Sequence, residues 1–192
     1  MSLNLALYDL ADDGGQVLAT REKGREIGRR LADRLSEVDG LLIRFDDVTV
    51  ASTPFLEEAL RQLQPVLRGD ERHWLLVTGH NEDVRESLEI VLDRAKMYLA
   101  SLDGDALELL GATSQLLETL EEAQREGTFT APDLAERLEM KLPAVHQRLN
   151  LLVQAGVLAR ETGANAARGK TGTYKVAPAE ELRALASRDA AN

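Results

Sequence analysis

Residues 128–161 read TFTAPDLAERLEMKLPAVHQRLNLLVQAGVLARE, and their spacing decides the fold of the C-terminal part. Thr130 to Asp133 opens a short helix with Leu134 and Leu138 turned inward. Lys141, Leu142 and Pro143 then turn into a longer helix whose Val145, Leu149 and Leu152 share one face, because residues three and four apart stack on a helix. Gly156 stops it at the left-handed position that ends many helices. Working outward, Leu116, Leu117 and Leu120 lead a preceding helix that ends near Gly127. Residues 157–162 and 173–176 read as two strands joined by a Gly- and Ala-rich loop, and residues 179–187 as a last amphipathic helix.

The stretch resembles the winged helix-turn-helix of bacterial one-component repressors. Its apolar and turn positions are met by Phe129, Thr130, Leu134, Ala135, Leu138, Val145, Leu149, Leu152, Gly156, Val157, Leu158 and Arg160. The resemblance spans about residues 113–178 and includes the wing. It implies that the second helix braces the third, whose outward face lies in the major groove of DNA, and the expected assembly is a homodimer. The residues placed to bond bases or phosphates are Lys141, His146, Gln147, Arg148 and Asn150, with Arg168 and Lys170 at the wing tip. Leu142, Ala144 and Leu151 stand where such repressors often carry polar or basic residues. A protein-binding scaffold or partner-switching component, with this helix as its interface, is therefore the alternative. The wing also mimics a phosphate-binding loop, but Gly163 and Gly169 enclose five residues where that motif needs four, and a strand follows instead of a helix.

The N-terminal part alternates apolar runs with amphipathic helices, the pattern of helices packed on a mixed sheet. Strands are expected at residues 16–20, 41–45, Trp74–Thr78, 96–101 and Ala106–Leu110, the last two joined by a turn at Leu102, Asp103, Gly104 and Asp105. Helices are expected over residues 22–38, after Ser52-Thr53-Pro54 with Phe55, Ala59, Leu60, Leu63 and Leu67 inward, and after Asn81 with Val84, Leu88 and Val91 inward. Gly24 and Gly28 would let the first of these helices approach the sheet closely. The stretches LATREKGREIGRRL and LLIRFDDVTVASTPFLEEALRQL resemble STAS-like bacterial domains, relatives of anti-sigma-factor antagonists, over about residues 14–95. In those relatives a serine at the matching helix start is phosphorylated to switch a protein partner. Thr53 occupies that position, with Ser52 before it and Pro54 after it. As plain chemistry, Ser52 and Thr53 are also helix caps.

The expected fold class is thus α/β: a STAS-like mixed sheet with helices over residues 1–111, then a mainly α winged helix-turn-helix domain over residues 112–192. Net charge is −10, which argues against a polyanionic partner, but the charge is uneven. Residues 1–112 hold 13 basic and 22 acidic side chains, whereas residues 141–175 hold six basic ones against Glu161 alone. Such a basic patch is an electrostatic footprint for nucleic acid. The absence of cysteine excludes disulfides and thiolate metal sites. The acidic start MSLNLALYDLADDGG does not read as a signal peptide, and no apolar run approaches the roughly 20 residues of a membrane span, so a cytoplasmic location away from membranes is expected. The pairs Asp46-Asp47, Glu57-Glu58 and Glu121-Glu122 read as solvated faces, and His73, His80 and His146 share no metal-binding spacing. The expectation is a non-enzymatic regulator with neither cofactor nor metal.

Overall fold

The computed structural model describes residues 3–103, 106–162 and 172–189. The first half runs β1 (Leu5–Asp9), α1 (Leu10–Gly14), β2 (Val17–Leu18), α2 (Arg21–Ser36), β3 (Gly40–Arg44), β4 (Val50–Ala51), α3 (Thr53–Gly69), β5 (Trp74–Thr78), α4 (Glu82–Ala95), β6 (Leu99–Asp103) and β7 (Ala106–Leu110). The second half runs α5 (Ser114–Glu126), β8 (Thr128–Thr130), α6 (Ala131–Arg137), α7 (Leu142–Gln154), β9 (Leu158–Thr162), β10 (Gly172–Val176) and α8 (Ala179–Asp189).

The main sheet has the order β1-β3-β5-β6-β7, parallel except for the antiparallel edge strand β7. Parallel neighbours taken in chain order need crossovers of one hand, which sends α2, α3 and α4 to the same face. There Leu31, Leu35, Leu63 and Leu88 bury Leu41, Ile43, Leu75 and Val77. The opposite face is just as apolar: Leu42, Trp74, Leu76, Ala100, Leu102 and Leu109 point away from those helices. The C-terminal half covers it, so that Leu149, Leu152, Val157, Leu158 and Leu182 share one core with these strand residues. Burial on both faces explains why β3 and β5 read as continuous apolar runs.

Several elements differ from the sequence expectation. β1 has no counterpart in it; its residues pair from Leu5↔Gly40 to Asp9↔Arg44, and the Asp9 carboxylate then caps α1 by accepting from the Ala11 and Asp12 amides. The strand expected at residues 16–20 shrinks to β2, which pairs with β4 in a separate two-stranded ladder. The strand expected at 96–101 begins at Leu99, because Lys96 ends α4 in the left-handed conformation, with φ 52°. Of the expected turn, Gly104 and Asp105 lie outside the described residues. Gly24 and Gly28 do serve close packing, but against α3 and not the sheet: a Cβ on Gly24 would strike the Phe55 carbonyl, and one on Gly28 would lie 2.8 Å from Ala59 Cα. Leu117 is exposed, one position off the buried face of Leu116 and Leu120. Glu58 is buried rather than solvated, and Arg21, Arg25 and Arg61 surround it at 3.7, 3.6 and 3.0 Å. Glu122 is similarly engaged, with Arg125 at 2.6 Å and Arg137 at 3.6 Å tying α5 to α6.

At the carboxyl end of β5, His80 faces Ser101, with Nε2 2.8 Å from the serine Oγ, while Nδ1 is buried without a partner. Burial first, and the Arg85 cation second, hold its pKa below the usual histidine value. A proton is therefore taken up more readily by the unfolded chain. Stability should be fully present above about pH 6.5 and decline below it, by at most about 1.4 kcal/mol per pH unit for this one group. Denaturant titrations at pH 7.5 and 5.5 should show that decline, with a smaller difference in His80→Asn.

The shared core makes a second expectation. Leu76→Ala should cost roughly 2–5 kcal/mol, as for a buried leucine. In guanidinium, the fluorescence of Trp74, the one tryptophan, should lose its native signal in the same transition as the helical circular dichroism. Two separated transitions would mean that the C-terminal half folds without the sheet.

Candidate nucleic-acid interface

The pair α6–α7 is built from local signals. At the start of α6 the Thr130 amide and hydroxyl both donate to Asp133 Oδ2, at 3.0 and 2.6 Å, and these bonds hold the Asp133 carboxyl below its ordinary pKa. Pro132 sits in the first turn, where its missing N–H costs nothing. The connection to α7 passes through Glu139 at φ 50°, an uncommon conformation for a residue with a side chain. Lys141 is extended and precedes α7, whose first turn carries Pro143.

On α7, Val145, Leu149, Leu152 and Val153 are buried. Lys141, His146, Gln147 and Asn150 are exposed, as is Gln154, absent from the expected set although it lies one turn beyond Asn150. The helix contains no carboxylate, whereas every other helix of the described residues carries at least one. The apolar positions separate. Leu142 is 39% exposed, while Ala144 and Leu151 are half-buried along a groove beside Tyr98.

The basic residues of this half are distributed differently from their sequence clustering. Arg148 is half-buried and turned toward α5, its Nη1 donating to the Gln115 carbonyl at 3.2 Å and the Thr119 hydroxyl at 3.0 Å. Arg160 lies over the Tyr174 ring at 5.7 Å and pairs with Glu71 at 3.2 Å. Lys175 pairs with Glu161 at 2.8 Å. Lys141 has no carboxylate partner among the described residues. Arg168 and Lys170 of the wing tip lie outside the described residues. The wing strands themselves are firm. β10 pairs with both β8 and β9, and Phe129 stacks on Tyr174 with centroids 5.8 Å apart. β8 was not expected from the sequence, its three residues being too short for an alternating pattern.

The end of α7 is anchored in the main sheet. β5 and β6 pair only at Leu76↔Ala100 and Val77↔Ser101. Where that pairing begins, the Leu75 amide donates to the Gly156 carbonyl at 2.9 Å, and the Ala100 amide to the Ala155 carbonyl at 3.3 Å. Further bonds run from the Arg160 amide to the Glu71 carbonyl at 2.6 Å and from Trp74 Nε1 to the Lys175 carbonyl at 3.3 Å.

At the helix start in the first half, Ser52 is engaged as a cap: its hydroxyl donates to the Ala19 carbonyl at 2.7 Å and accepts from the Phe55 amide at 3.4 Å. Thr53 is half-buried at the first position of α3.

A protein family described as winged helix-turn-helix DNA-binding matches residues 114–159, from the start of α5 into β9. The chain matches no curated protein and no solved structure at a significant level. Among the described residues, no three His, Asp or Glu side chains gather where they would hold a metal ion, and no helix is long and apolar enough to cross a membrane.

Gly156 gives this arrangement a direct test. It has φ +75°, and a Cβ there would lie 2.8 Å from Leu75 Cβ, N and O. Gly156→Ala should therefore combine an unfavourable backbone conformation with an overlap against backbone that cannot rotate away, costing about 3 kcal/mol. Thermal or denaturant unfolding measures this. A change below about 0.5 kcal/mol, typical of surface sites, would contradict the close approach.

Proposed function

We propose that this protein is a DNA-binding regulator of transcription in which α7 enters the major groove and the α/β half, with the division after Gly111, controls it. The observation that carries this reading is the exposed face of α7. In a chain of net charge −10, this helix alone among those described carries no acid, and it presents Lys141, His146, Gln147, Asn150 and Gln154 outward. Amide side chains are the natural readers of adenine edges, and a lysine at the helix start suits a phosphate. The winged helix-turn-helix match over residues 114–159 supports the same reading. Arg148 joins the set at the edge of that face, while Arg168 and Lys170 supply backbone or minor-groove contacts from the wing. We place the protein in the cytoplasm, acting as a homodimer on a two-fold site. The STAS-like half is its sensing or partner-binding module, with Thr53 as the acceptor of any regulatory phosphate because Ser52 is engaged as a cap.

Mobility-shift titrations with the full chain test the interface. Gln147→Ala and Asn150→Ala should reduce discrimination between sites by roughly 1–3 kcal/mol each if they touch bases. Replacing Arg168 and Lys170 together with Ala should weaken binding to all sequences alike and lower the salt slope by about one unit for each phosphate no longer neutralised. A full chain that shifts no genomic fragment even at low salt would refute the proposal, and Leu142 would then mark a protein-binding face.

A further inference from the structure

We infer that the groove between α7, the start of α5 and the residue leading into β6 binds a small organic carboxylate with an apolar body. The groove has a volume of about 300 Å3, at the lower end of the range of ligand sites, and it lies at the junction of the two halves, where such sites tend to form. Leu116, Met140, Ala144 and Leu151 contribute apolar lining. Its polar lining includes Tyr98, Gln147 and Arg148, and no carboxylate contributes to it.

Arg148 is what gives the groove a ligand preference. Its two bonds go through Nη1 to uncharged acceptors, the Gln115 carbonyl and the Thr119 hydroxyl. Nε and Nη2 are left without an acceptor among the described residues. Other partly buried arginines of this acidic chain sit against carboxylates: Arg44 against Asp9 at 2.6 Å, and Arg160 against Glu71 at 3.2 Å. A guanidinium with two donors free of any protein acceptor is a ready partner for an anion, and a carboxylate can take both donors at once. The apolar side chains that share the groove with it suit an aryl or short alkyl body. A multiply charged phosphate compound would find only one cation in the lining. Because Gln147 and Arg148 belong to α7, occupancy would constrain the helix that we propose reads DNA. That consequence rests on the DNA-binding reading, but the binding itself does not.

Calorimetric titration of the full chain with benzoate at fixed ionic strength tests the site, with benzamide as the uncharged counterpart. Benzoate should bind saturably at one site per chain, and benzamide at least about tenfold more weakly, since it cannot form the charge-assisted bond. Ala144→Phe fills the groove without removing a polar group and should abolish binding, with its thermal unfolding checking that the fold is kept. Arg148→Gln should weaken benzoate about tenfold or more; should that variant unfold, the benzamide comparison and Ala144→Phe decide alone. Equal binding of benzoate and benzamide, undiminished binding by a folded Ala144→Phe, or no saturable binding of benzoate or hexanoate would overturn the assignment. All of this is read without DNA. A chain that binds benzoate but no DNA refutes the regulator reading and leaves the site standing, and the reverse outcome refutes the site alone.

Discussion

A parallel sheet whose helices all lie on one side has a second face that water must not reach. Here that face is Leu42, Trp74, Leu76, Ala100, Leu102 and Leu109, and the whole C-terminal half is arranged around covering it. Burying apolar area is worth about 25 cal/mol per Å2, so leaving such a face open would remove more stability than a domain of this size has to spare. The carbonyls of Ala155 and Gly156, which accept the Ala100 and Leu75 amides where β5 and β6 part, convert that nonspecific need for cover into one fixed seating. The C-terminal helix α8 completes the cover over β1 and β3, with Leu182 buried and the Arg44 Nη1 donating to the Ala186 carbonyl at 3.3 Å.

This seating also fixes α7 along its axis. The residues that end α7 are the same residues that bond the sheet, so α7 cannot shift along its axis without breaking bonds to Leu75 or Ala100. A displacement of β5 or β6 therefore has a short physical route to α7. Electrostatics follows the same logic. In a chain of net charge −10, α7 keeps no acid, so a polyanion meets little repulsion from that helix.

Much of the local structure is legible in the chain. Val145, Leu149 and Leu152 are expected on one face and are buried together; Asn81 is expected to cap α4, and its Oδ1 accepts the Val84 amide at 2.9 Å. These depend on helical period and on side chains that bond their own backbone, both of which act within a few residues. What escapes a sequence reading is decided by distant partners. β1 and β8 are strands because β3 and β10 offer them ladders, not because their own residues insist on it. Glu58 looks like a surface acid until three arginines from two helices close over it. On the proposed interface, the exposure of Lys141, His146, Gln147 and Asn150 can be read from the period of α7, but the turning of Arg148 toward Thr119 cannot.

The sequence by itself determined the starts of α2, α3, α4, α6 and α7, the buried face of α7, and the absence of acids from it, because these follow from spacing, capping chemistry and charge along the chain. Only the tertiary structure decided that the two halves share a core, that Arg160 is spent on Glu71 and Tyr174, and that Arg148 faces a groove beside Tyr98. The reason is that pairing between residues dozens of positions apart depends on which surfaces the fold brings together, and no local pattern records that.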